Sequence, residues 1–140
     1  MKNLLLLITL LFPTLIFAAD YQMDVIAEEL NHPWSIDFLP EGGYLVAMKS
    51  GEVHLITATG EVSDPIAGGP DTYFESQGGY FDILLDPDYS TNQQVYLSYA
   101  GGTSEANATT IMRATLNNNA FENTETIFTA SPTKATPAHY

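Results

Sequence analysis

Three imidazoles could move a proton near neutral pH in this chain: His32, His54 and His139. His32 stands before Pro33, a context that favours an extended loop. His54 alternates with Val53 and Leu55, so it is expected on the polar face of a strand. His139 closes Thr136-Pro137-Ala138-His139 and, taken alone, reads as a solvated turn residue. Gln77 precedes Gly78-Gly79; its amide offers a donor and an acceptor without a charge to balance. Taken alone, it is a loop amide beside glycines that serve a turn with positive φ. Other chemistries drop out. The 140 residues include no cysteine, which excludes disulfides, a thiolate metal site and a thiol nucleophile. Lys2, Lys49, Arg113 and Lys134 are scattered among 17 Asp+Glu at a net charge of −13, so nucleic acid is not an expected partner. Asp86-Pro87-Asp88 lacks the spacing and the distal bidentate Glu of a calcium loop and reads as a turn. Asn107-Ala108-Thr109 matches a glycosylation acceptor and reads as a loop of no consequence.

The elements that must carry these residues read as β. Ile36 to Leu39, Tyr44 to Met48, Val53 to Ile56, Phe81 to Leu85, Val95 to Tyr99, Thr110 to Leu116 and Glu125 to Thr129 are short apolar or alternating runs. Gly, Pro, Asn and Asp separate them. Val25 to Leu30 is the one weak helical candidate after the leader. The runs also repeat as a group: Ile36-Asp37-Phe38-Leu39-Pro40 aligns with Ile83-Leu84-Leu85-Asp86-Pro87, and Tyr44-Leu45-Val46-Ala47 with Val95-Tyr96-Leu97-Ser98. Four antiparallel strands recurring at this period predict propeller blades, with a β-sandwich as the alternative. Trp34 is expected to pack between blades.

Residues 1–19 have the order of a cleavable secretory signal peptide. Met1-Lys2-Asn3 is a short basic start, Leu4 to Phe17 is mostly apolar, and Ala18-Ala19 offers small residues for cleavage before Asp20. The apolar run is short for a span of about 20 residues, so a stable membrane anchor is not expected. A periplasmic or secreted protein is.

Asn31-His32-Pro33-Trp34-Ser35-Ile36-Asp37-Phe38-Leu39-Pro40 resembles the opening of the soluble aldose (glucose/sorbosone) dehydrogenases that depend on pyrroloquinoline quinone (PQQ). So does Ser76-Gln77-Gly78-Gly79-Tyr80-Phe81-Asp82-Ile83-Leu84-Leu85-Asp86-Pro87-Asp88-Tyr89, followed by Val95-Tyr96-Leu97-Ser98-Tyr99. The tail Thr136-Pro137-Ala138-His139-Tyr140 is similar to the start of that family's His-aromatic-Gly segment. The resemblance runs from about Leu30 to Tyr140. It implies a six-bladed β-propeller that oxidises the C1 hydroxyl of aldoses to lactones, with PQQ over the central channel and calcium beside it. His139 is then the general base and Gln77 an amide that contacts the sugar. Ala138 stands where the family can carry an acidic residue, which leaves the sugar preference open.

Residues 20–140 amount to about two blades and the start of a third, an incomplete ring. Cofactor ligands are expected in blades this chain does not hold, with no calcium site in the chain itself. Taken alone, it is expected to be inactive, with Phe81, Ile83 and Leu85 exposed. A non-catalytic, exported propeller used as a binding module is the second reading, because the fold hosts both.

Overall fold

Runs of five to eleven β-prone residues, each closed by glycine, proline or asparagine, fold into two antiparallel sheets. The computed structural model describes residues 21–137; the leader and His139 lie outside the described residues. The first sheet contains β1 (Pro33–Phe38), β2 (Tyr44–Met48) and β3 (Glu52–Ile56), in that order. The second contains β4 (Tyr80–Leu85), β5 (Gln94–Gly102), β6 (Asn107–Asn117) and β7 (Ala120–Thr129), again in chain order. Two successive up-and-down sheets are the blade pattern the repeat predicts.

Local details depart from expectation. Residues 25–30 form no helix; instead Ala27 and Leu30 pack on Val46, Met48 and Ile56. A one-turn helix α1 (Tyr89–Asn92) precedes β5. Asp86-Pro87-Asp88 is indeed a turn, held by the Asp86 carboxylate, which accepts from Asn92 Nδ2, Asp88 N and Tyr96 Oη. The Asn92 amide first, then the Asp88 N–H and the Tyr96 hydroxyl, hold that carboxyl below the usual range. Asn107 opens a strand rather than sitting in a loop; it is buried and donates to Thr103 O at 2.9 Å.

Among the described residues, the first sheet has three strands and no regular fourth. Pro65 lacks an N–H, and the segment beside β3 makes one bridge, Ile56 to Val62. Ser63 N still donates to Leu55 O (2.9 Å) and Ile66 N to Val53 O (2.7 Å). His54, expected on the polar face, is half-buried and bonds Ser63 O through Nδ1 at 2.8 Å. Its work is to tie down this edge.

The core lies between the sheets. Leu45, Ala47 and Val53 of the first meet Ile83, Val95, Leu97, Tyr99, Met112 and Ala114 of the second. Ile83 is fully buried, while Phe81 and Leu85 are half-buried. The exposed apolar groups are Trp34, Ile36 and Phe38 on the first sheet and Leu84, Ile127 and Phe128 on the second. Trp34 is 58% exposed and lies outside the core between the two sheets.

β1 and β4 run side by side, and the repeat explains their contact. Ser35 Oγ accepts from Ile83 N (3.1 Å), Asp37 Oδ2 accepts from Leu85 N (2.7 Å), and Ser35 Oγ also donates to Asp82. Nearly equivalent positions of the two units thus bond each other, and side chains of β1 satisfy N–H groups on the free edge of β4. Asp37→Ala leaves the Leu85 N–H without this acceptor. The expected cost is about 1–3 kcal/mol, read as a lower unfolding midpoint in urea.

Candidate functional site in the loop before β4

Three hydrogen bonds anchor the loop before β4. Tyr73 N and Thr72 Oγ1 both donate to Ala100 O, at 2.8 and 3.0 Å. Tyr80 is buried and donates its hydroxyl to Pro70 O at 2.7 Å; burial, first of all, pushes its pKa well up, so it remains a neutral donor. Between these anchors, Ser76 adopts a left-handed conformation (φ 51°) and Gly78 N donates to Glu75 O at 2.7 Å. The turn holds Gln77 out in an exposed position.

Of the glycine pair, Gly79 carries the positive φ, 132°. A Cβ there would lie 2.2 Å from Lys49 O and 2.8 Å from Lys49 Cγ. Glycine thus lets the loop press against the β2–β3 turn, where Tyr80 N donates to Lys49 O at 3.1 Å; from β5, Ala100 N donates to Gly79 O at 2.9 Å.

Gln77 N donates to Pro137 O at 3.1 Å. Residues 77 and 137 are sixty apart in the chain, yet the segment leading to His139 passes directly beside Gln77. His139 itself lies outside the described residues. The neighbourhood is aromatic, and among the described residues Lys49 Nζ donates to Ser76 O at 2.7 Å and sits 4.5 Å from the centre of the Trp34 ring. His32 O accepts from Lys49 N at 2.9 Å, and the His32 ring meets Phe74 edge-on, centroids 6.1 Å apart. Sequence reasoning passed over Lys49 and Phe74. The available signal for Lys49 was a lone cation at a turn in a chain of net charge −13.

Among the described residues, no group of three His, Cys, Asp or Glu is placed to hold a metal ion. Lys49 is engaged with Ser76 and Trp34, and Arg113 pairs with Glu125 at 2.6 Å.

Comparison with known proteins agrees with this architecture. The chain is 35% identical over 83 residues to aldose sugar dehydrogenase YliI of Escherichia coli K12, covering 59% of this chain and 22% of that protein. The structure of the soluble aldose sugar dehydrogenase from Escherichia coli in the apo-form superimposes with a TM-score of 0.74 at 30% identity, over 79% of this chain and 33% of that one. The PQQ-bound aldose sugar dehydrogenase of Streptomyces coelicolor gives a TM-score of 0.69 at 25% identity, over 79% and 34%. The chain therefore spans between about a fifth and a third of the length of these relatives. Its two sheets are propeller blades of the kind those enzymes contain. Residues 30–140 match the family described as Glucose / Sorbosone dehydrogenase, and the chain belongs to it.

Proposed function

We propose that the complete protein containing this chain oxidises the C1 hydroxyl of aldose sugars to lactones, using PQQ and calcium. Residues 1–19 direct its export to the periplasm or the exterior and are removed near Ala18/Ala19. The electron acceptor beyond the quinone is left open. The observation that carries the reading is the Gln77 N to Pro137 O bond. It sets the backbone of Gln77 beside the segment leading to His139, in a chain of a sugar dehydrogenase family.

PQQ, when bound, would supply an acceptor for two electrons; on this reading its ligands and those of calcium lie outside this chain. The roles left to this chain are binding and proton transfer. His139 takes the C1 hydroxyl proton, a task for a group titrating near neutrality. Gln77 gives a donor and an acceptor to sugar hydroxyls and orients C1. Residues 20–140 alone, with two sheet faces open to water, are inactive on this reading.

The test is dye reduction by the complete protein with aldoses, before and after loading with PQQ and calcium. Sugar-dependent reduction only after loading is expected; none after loading overturns the proposal. Gln77→Ala is expected to lower kcat/KM for the aldose roughly 2- to 12-fold, since a neutral hydrogen bond is worth about 0.5–1.5 kcal/mol. A loss as large as that from removing the base would contradict this division of labour.

A further inference from the structure

We propose that Lys49 is a positioning residue for Gln77: it clamps the 75–79 loop to the first sheet and so sets where the amide meets substrate. This inference rests on the aldose-oxidising reading for its kinetic part and on geometry alone for the clamp.

Lys49 touches the loop at three levels. Its ammonium donates to Ser76 O at 2.7 Å, the carbonyl immediately before the Gln77 N–H. Its stem lies against Gly79, where a Cβ would come within 2.8 Å of Cγ. Its own carbonyl accepts from Tyr80 N at 3.1 Å, at the start of β4. On the opposite side the ammonium lies over the Trp34 ring at 4.5 Å, and Lys49 N donates to His32 O at 2.9 Å. One residue therefore links β1, the β2–β3 turn and both ends of the segment that displays Gln77. The positive charge contributes twice, in a charge-assisted bond to a carbonyl and in attraction to the indole face. It also restrains Ser76 at φ 51°, a conformation that a non-glycine residue adopts only when its surroundings hold it there.

The experiment compares Lys49→Met, which removes the charge and keeps a long apolar stem, with Lys49→Arg, which keeps the charge. Both are made in the complete protein. Hydrogen exchange of the peptide spanning residues 74–79 is read first, without cofactor or sugar. Lys49→Met is expected to speed exchange there roughly 2- to 12-fold, the loss of one hydrogen bond, with β5 unchanged. Lys49→Arg is expected to restore it. With PQQ and calcium loaded, Lys49→Met should then raise KM for the aldose by a similar factor and leave kcat within about twofold. Should Lys49→Met not fold, Lys49→Gln takes its place in the same measurements. Unchanged exchange at 74–79 overturns the clamp. Faster exchange with an unchanged KM overturns the positioning role. A wild-type protein that oxidises no aldose ends the functional reading instead, and the clamp then stands or falls on exchange.

Discussion

Alanine in place of His139 is expected to lower aldose turnover of the complete, cofactor-loaded protein by about 10²–10⁴-fold, the usual range for loss of a general base. Hydride can leave C1 only as the hydroxyl proton departs, so without an acceptor for that proton the step stalls even when sugar and quinone are bound. Quinone binding should survive, because the imidazole is assigned to the sugar hydroxyl rather than to the cofactor. The contrast with Gln77→Ala is the informative part. An amide that contacts substrate costs a hydrogen bond, whereas a base costs the reaction path. Turnover at saturating cofactor and sugar, with quinone binding measured in parallel, checks this. Unchanged turnover in His139→Ala would remove that residue from the mechanism.

The second large effect is expected from Gly79→Val. At φ 132° a β-branched residue is strained whatever the space around it, at about 1–3 kcal/mol for the backbone conformation alone. The space is also missing: its Cβ would lie 2.2 Å from Lys49 O, a backbone atom that cannot swing aside. The loop or the β2–β3 turn must move, which breaks the Tyr80 N to Lys49 O bond and carries Gln77 out of register with Pro137. A marked drop in the urea midpoint, with aldose activity lost beyond the Gln77→Ala level, is expected. A variant with wild-type stability and activity would show that the close approach at Gly79 has no consequence.

Much of this architecture could be read from residue order. Alternation and punctuation placed all seven strands, and the echo of Ile36–Pro40 in Ile83–Pro87 announced two related units. Edges were less legible. β5, β6 and β7 extend beyond their apolar cores, through Gly102, Asn107 and Ala120, because ladder bonds continue wherever a partner strand is present, whatever the hydropathy. Beside β3, Pro65 and the Ser63 and His54 bonds stand where a regular ladder would run among the described residues.

The candidate site divides in the same way. Sequence alone determined that Gln77 lies before a glycine pair, that His139 is the imidazole of the tail, and that thiol chemistry is out of reach, because these follow from residue type and local order. Family membership was likewise legible in the ordered motifs from Asn31 onward. Only the tertiary structure decided that Gly79 is the member of the pair requiring glycine, since the constraint is the Lys49 carbonyl facing it. It also placed Pro137 on the Gln77 N–H, Lys49 between Ser76 and Trp34, and Trp34 outside the core between the two sheets. These contacts join residues from fifteen to sixty positions apart. They exist only once two sheets have packed and closed the loops between them, so no local pattern of residues could encode them.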